Sequence, residues 1–252
     1  MSQVILDMSS GNTCRNDKAI VKQMIGAIKA IDTGKHEIIL KAQLSLPDGI
    51  NVPLDHDVFD YMYCYGNAQG YKTTSSVADL ESLKFLLQYD VPFVKLPNDR
   101  KLDYLLAYIP RGIKVYISIG PNDIEHDDVD YLNDYGIVDK NMVFLSCISK
   151  YPATKEDYGY REEKDYYSMK YGFYLYNQGL SDHTINFDLY HATKHHYFLQ
   201  SLTWHNNIDE REKCAEKIMN RRIFEWHFKL EKSTGPDSGP FARTPEELRE
   251  IL

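Results

Sequence analysis

Two histidines in the C-terminal third of the chain each follow a short apolar run that reads as a strand: His183 in Gly179-Leu180-Ser181-Asp182-His183-Thr184, and His227 in Glu225-Trp226-His227-Phe228. Neutral imidazoles delivered from the ends of two strands can hold a divalent cation while leaving coordination positions open, as a catalytic metal requires. Asp182, next to His183, is placed to orient that imidazole. Lys41, in Leu40-Lys41-Ala42-Gln43, and Lys95, in Val94-Lys95-Leu96-Pro97, close two other apolar runs. Two ammonium groups converging on one cleft repel each other unless an anion neutralises them, so the pair reads as a phosphate or carboxylate site. A single lysine at a strand end can equally snorkel to solvent. Ser118, Ser149 and Ser181 follow three later strands and offer hydroxyl donors to the same anion.

Such groups act together only if one scaffold brings the strand ends to one place. The chain alternates apolar strand-like runs with amphipathic helical stretches, the pattern of βα repetition. Strands are expected at 4–7, 37–43, 71–75, 92–96, 114–119, 142–147, 174–180 and 223–228. Helices are expected near 17–31, 55–64, 79–89, 100–109, 122–134, 161–170 and 245–252. Eight such units predict a single α/β domain, a TIM (β/α)8 barrel over residues 1–252, with functional groups at the C-terminal strand ends. A polar stretch rich in Glu, Arg and Lys at 203–221 reads as a helical insertion before the last strand, a solvated surface element.

The chain has 252 residues, about the size of one such barrel. With 43% apolar and 26% charged residues and no apolar run near 18 residues, it reads as a soluble globular protein without a membrane span. The N-terminus lacks a basic region and an apolar core, so the expected location is cytoplasmic. A net charge of −8 disfavours non-specific nucleic-acid binding. The four cysteines are scattered without a Cys-x-x-Cys pair, which suggests neither a disulfide framework nor a cysteine zinc site.

Several segments, in order, resemble the sialic acid synthase family. Lys41-Ala42-Gln43 resembles that family's Lys-Phe-Gln, and Val91-Pro92-Phe93-Val94-Lys95 its Val-Pro-aromatic-x-Lys. Ser118-Ile119-Gly120 resembles Ser-Thr-Gly, and Cys147-Ile148-Ser149-Lys150-Tyr151-Pro152 resembles Cys-Thr-x-x-Tyr-Pro. Ser181-Asp182-His183, Glu225-Trp226-His227-Phe228 and Gly235-Pro236-Asp237 follow in the family's order. The resemblance implies condensation of phosphoenolpyruvate with an N-acetylated amino sugar to give a sialic-acid-type product, with loss of phosphate and a divalent metal, manganese or magnesium. It implies anion and substrate binding by Lys41, Gln43, Lys95, Ser118, Ser149 and Ser181, and a metal on His183 and His227. Asp7 takes the place of a strand-one glutamate and Asp237 that of a carboxylate near the reacting carbonyl; both would orient water or move a proton.

The chain departs from the pattern at Asp7-Met8-Ser9-Ser10-Gly11-Asn12-Thr13, where the family has Glu-Ile-Gly-x-Asn-His, and at Ser238, where a histidine is usual. The chain is expected to lack the family's C-terminal antifreeze-like domain, so another element should cover the barrel mouth: a neighbouring copy, a partner subunit, or the loop 46–71 as a lid. Two other readings stay open. One is a diverged barrel serving as a non-catalytic binding or assembly subunit, and the other a phosphoenolpyruvate aldol synthase acting on a smaller aldehyde.

Overall fold

A computed structural model describes residues 2–45, 50–120, 141–159, 179–200 and 207–252. Eight parallel strands close into one barrel in sequence order: β1 (Gln3–Ser9), β2 (Glu37–Leu44), β3 (Lys72–Val77), β4 (Val94–Leu96), β5 (Val115–Ile119), β6 (Met142–Cys147), β7 (Gly179–Ser181) and β8 (Ile223–His227). The TIM barrel is therefore present. Outside it lie helices α1 (Lys18–Ile31), α2 (His56–Ala68), α3 (Leu80–Leu86), α4 (Asp188–Gln200), α5 (Ile208–Met219) and α6 (Pro245–Leu248).

The strands carry almost continuous apolar sequence because both of their faces are buried. Val4, Leu6, Ile38, Leu40, Val94, Ile117, Leu180, Phe224 and Trp226 point outward into the core shared with the helices. Ile5, Ile39, Phe93, Tyr116 and Leu145 point inward and fill a separate layer inside the barrel. Side chains alternate along a strand, so the next inward position is two residues later. That step reaches Asp7, Lys41, Lys95, Ser118 and Cys147, all buried at the mouth.

Several expected elements differ in detail. Strand three lies at Lys72–Val77 rather than 71–75, and 100–108 is a 3-10 helix. α4 occupies a stretch to which the sequence pattern assigned nothing, because its hydrophobic periodicity is weak. α5 falls within the expected 203–221 insertion, of which 203–206 lie outside the described residues. The helices expected near 122–134 and 161–170, and strand seven before Gly179, also lie outside them. No helix among the described residues is long and apolar enough to cross a membrane.

The helix expected near 55–64 is present and takes up half of the stretch 46–71 expected as a lid, of which 46–49 lie outside the described residues. Residues 56–68 form α2, with Val58, Phe59 and Met62 buried, and its aromatic side chains pack on α3 and the turn after it: Phe59 lies 5.7 Å from Phe85, and Tyr63 and Phe59 lie 4.8 and 5.1 Å from Tyr89. Deleting 50–62 would remove those anchors and Leu54, at about 2–5 kcal/mol each against a total stability of about 5–15 kcal/mol. We expect that deletion to show no cooperative melt by circular dichroism, so it cannot test a lid. Among the described residues of this stretch, Ile50 and Asn51 line the mouth, and 50–55 are tied to the loop after β1. Gly11 N–H donates to the Val52 carbonyl at 2.9 Å, Asn12 accepts from Val52 N–H at 2.6 Å, and Asn16 accepts from Asp55 N–H at 2.9 Å. A Cβ on Gly11 would stand 2.2 Å from the Pro53 carbonyl oxygen, so only glycine allows this approach. Gly11→Ala should cost about 1–3 kcal/mol by overpacking; a melting temperature equal to the parent's would show that 50–55 is not anchored there.

Candidate active site

One cavity of about 570 Å³ opens at the C-terminal end of the barrel. Its lining includes Asp7, Lys41, Gln43, Lys95, Ser118, Ser149, Ser181, His183, His227 and Asp237, so the fold brings every residue singled out from the sequence except Asp182 to one space. It also includes Glu225, which the sequence reading quoted only as part of a motif.

Glu225 organises the floor. Its carboxylate lies 2.9 Å from Lys41 Nζ through Oε1 and 3.4 Å from Lys95 Nζ through Oε2. Lys41 Nζ also donates to Asp7 Oδ2 at 2.6 Å, and Gln43 Nε2 to the same oxygen at 2.9 Å. The expectation of two uncompensated ammonium groups is thus corrected: fixed carboxylates hold them together before any ligand arrives. The parity that places Lys41 inward places Glu225 inward too, two residues before His227 on β8, and this alternation was the signal that could have found it.

Burial opposes the charge on Lys41, but Asp7 and Glu225 outweigh it and hold its pKa above the ordinary lysine range. Burial likewise opposes the charge on Glu225, and Lys41 and Lys95 outweigh it to hold the carboxyl well below the ordinary range. For Lys95, burial prevails over the attraction of Glu225 and its pKa falls. Lys95 is therefore the less satisfied cation. It donates to Ser118 Oγ at 2.7 Å and to its neighbour's carbonyl, Leu96 O, at 3.2 Å. Ser149 stands apart from this floor, exposed and accepting from Asn98 Nδ2 at 3.1 Å.

Above the floor, the His183 and His227 rings lie 5.3 Å apart between centroids. Tyr151 and Phe241 flank them, at 4.3 Å from His183 and 5.0 Å from His227 respectively. His183 Nδ1 lies 2.7 Å from the Ile148 carbonyl oxygen. A carbonyl only accepts, so Nδ1 carries the proton and Nε2 offers a lone pair. Burial, reinforced by His227, pushes the His183 pKa down to about 3, which keeps the ring neutral.

Asp182 does not orient that ring. Its carboxylate points away, accepting from Trp226 Nε1 at 3.1 Å and from the Thr184 backbone and hydroxyl at 2.8 and 2.7 Å. A side chain one residue from His183 on an extended segment faces the opposite side, and that parity decides the matter.

Among the described residues no group of three or more His, Cys, Asp or Glu stands in metal-holding geometry. The donor set nevertheless suits a cation. His227 Nδ1 and Asp237 Oδ2 are buried without a hydrogen-bond partner, and His227 Nδ1 lies 3.5 Å from Asp237 Oδ1. Buried polar atoms left open in this way cost stability unless a ligand completes them.

The model of the NeuB family matches residues 35–195, well over half of the chain. The chain belongs to the NeuB family. The matched segment carries both lysines, the three serines and His183, whereas Asp7, Glu225, His227 and Asp237 lie outside it. No curated protein matches the sequence. Among solved structures, this NeuB-family chain is similar to the N-acetylneuraminic acid (sialic acid) synthetase of Leptospira borgpetersenii serovar Hardjo-bovis in complex with citrate, with a TM-score of 0.70 and 14% identity over 99% of this chain and 80% of that one. It is also similar to the spore coat polysaccharide biosynthesis protein spsE of Bacillus subtilis, with a TM-score of 0.67 and 16% identity over 99% and 65%. A truncated 3-deoxy-D-arabino-heptulosonate 7-phosphate synthase of Thermotoga maritima follows at 0.60 and 9%, over 99% and 83%. At these identities the likeness is one of fold.

Proposed function

We propose that this chain is a carbohydrate-biosynthesis enzyme that condenses phosphoenolpyruvate with an N-acetylated amino sugar, releasing phosphate and giving a sialic-acid-type product. The observation that carries the reading is the meeting, in one cavity, of a buried lysine pair with two buried histidines, of which His183 is held neutral and His227 leaves Nδ1 without a hydrogen-bond partner. The family and the synthases that share the fold support it.

In this reading Lys95 and Ser118 take the phosphate or carboxylate of phosphoenolpyruvate, and Lys41 supports them through the carboxylate they share. Charge-assisted bonds from a fixed, dehydrated cradle position the enolic carbon against the sugar carbonyl carbon. One C–C bond forms, the carbonyl oxygen gains a proton, and water adds at the phosphate-bearing carbon before phosphate leaves. Asp7 is engaged by Lys41 and Gln43, so Asp237, with one free oxygen at the cavity wall, is the better placed group to handle a proton.

His183 and His227 would hold a divalent cation, manganese or magnesium, with Asp237 beside them; when bound it would polarise the sugar carbonyl. Charge supports this dependence. The cavity sets two lysines, Lys41 and Lys95, against three carboxylates, Asp7, Glu225 and Asp237, and a further cation favours an anionic substrate entering among them.

The test is phosphate release by purified protein with phosphoenolpyruvate, manganese and a panel of N-acetylated hexosamines. Release that requires all three supports the reading; phosphate release with metal and phosphoenolpyruvate but no sugar acceptor refutes it. His183→Ala and His227→Ala should each abolish manganese binding by calorimetry while a cooperative melt persists. Parent-like manganese affinity in either variant rules out the two-histidine centre.

A further inference from the structure

The ladder between β7 and β8 ends at Ser181 and Glu225, closed by the Asp182 N–H to the Glu225 carbonyl at 3.0 Å. His183 and His227 each lie two residues beyond those last partners, so the β7–β8 ladder does not hold them to each other, although β1 pairs with His227 through Asp7 and Ala153 N–H donates to the His183 carbonyl. Arg243 spans the gap. Its backbone N–H donates to the His227 carbonyl at 2.7 Å, and its own carbonyl accepts from Lys229 N–H at 2.9 Å. Its guanidinium donates to the Thr184 carbonyl at 2.6 Å and lies 3.8 Å from the Asp182 carboxylate, the two residues flanking His183.

The side chain is fully buried and is absent from the cavity lining. Its guanidinium carbon sits 4.2 Å over the Phe187 ring. Phe187 (φ 55°) and Asn186 (φ 52°) are in the left-handed region, a conformation that a bulky residue keeps only where packing imposes it. Phe187 packs edge-on against Trp226, the residue before His227, at 5.1 Å. The arginine therefore joins the chain beside both histidines from behind the cavity, through its backbone on the His227 side and, on the His183 side, through Nη2 and a planar guanidinium lying over Phe187, which lysine cannot match.

We propose that Arg243 is a positioning residue that fixes the spacing of His183 and His227, and so the affinity of the cavity for a divalent cation, without touching substrate. This rests on the two-histidine reading above.

The rival is a buried ion pair with a purely structural role, and two variants separate them. Arg243→Lys keeps the charge but loses the planar guanidinium over Phe187. Because removing one partner of a buried pair endangers folding, Arg243→Met combined with Asp182→Asn removes both charges together. For each, melting temperature, cobalt affinity by visible absorption and metal-free phosphoenolpyruvate affinity are measured. The expected result is a cooperative melt, cobalt affinity reduced tenfold or more with an altered spectrum, and phosphoenolpyruvate affinity within twofold of the parent. Parent-like cobalt affinity in a folded variant overturns the proposal, as does a parallel loss of both affinities. Failure of the parent to bind cobalt sinks the two-histidine reading instead. Nitrogen NMR of the imidazoles then decides on Arg243: a mixed His183 tautomer in the variants supports positioning, and an unchanged one overturns it.

Discussion

Lys41→Ala is expected to lower the melting temperature at pH 7 by roughly 6–20 °C. The substitution leaves the Asp7 and Glu225 carboxylates, both about 95% buried, without the cation that lies 2.6 and 2.9 Å from them. Removing one partner of a buried ion pair costs about 3–5 kcal/mol, and a chain of this size loses about 2–4 °C per kcal/mol. The pH dependence has a definite sign. In the parent the Glu225 carboxyl is held well below its ordinary value, so its contribution is present at neutral pH and lost only in strong acid. In the variant the Glu225 carboxyl loses the nearer of the two cations that keep it ionised and takes up a proton more readily as pH falls. The gap between parent and variant should therefore narrow from pH 7 to about 4.5, and Asp7→Asn in the Lys41→Ala background should recover part of the loss. A difference at pH 7 below about 2 °C would mean that the pair contributes little. The sequence alone argues for the opposite outcome, a binding defect with little loss of stability, because it shows the lysine without its carboxylates.

The second large effect belongs to Lys95. Lys95→Met should weaken phosphoenolpyruvate binding by about tenfold to a hundredfold, since a charge-assisted hydrogen bond contributes about 1.5–3 kcal/mol and each 1.4 kcal/mol is a factor of ten. Its stability cost should be smaller than that of Lys41→Ala. Glu225 keeps Lys41 at 2.9 Å when Lys95, at 3.4 Å, is gone, and the methionine no longer carries the burial penalty that lowers the Lys95 pKa. Ser118→Ala, which removes the 2.7 Å partner of Lys95, should have a weaker effect in the same direction. Calorimetric titration of phosphoenolpyruvate beside a thermal melt separates the two quantities. Unaltered affinity in Lys95→Met would remove this lysine from the anion site.

Much of the site is legible in the sequence because residue type and strand position carry the information. Lys41, Lys95, Ser118, Ser181, His183 and His227 each follow apolar residues, and a parallel barrel sends every strand end to one mouth. Glu225 escapes because a carboxylate within Ile223-Phe224-Glu225-Trp226-His227 gains meaning only when inward parity is counted back from His227. Asp182 is misread because adjacency along the chain is mistaken for adjacency in space. The role of the stretch 46–71 is not legible from sequence, because a tyrosine-rich helix after a long loop looks peripheral whereas α2 buries Val58, Phe59 and Met62 against the barrel.

The sequence by itself determined the barrel, the kinds of side chain gathered at its mouth and the family membership that the ordered motifs announce, since these follow from periodicity and residue type along one strand at a time. Only the tertiary structure decided which charges neutralise which, which way each carboxylate faces and what holds the two histidines at their spacing. Those depend on distances between residues far apart in the chain, such as Asp7 with Lys41 and Thr184 with Arg243, and at contact range electrostatic and hydrogen-bond energies change steeply with such distances.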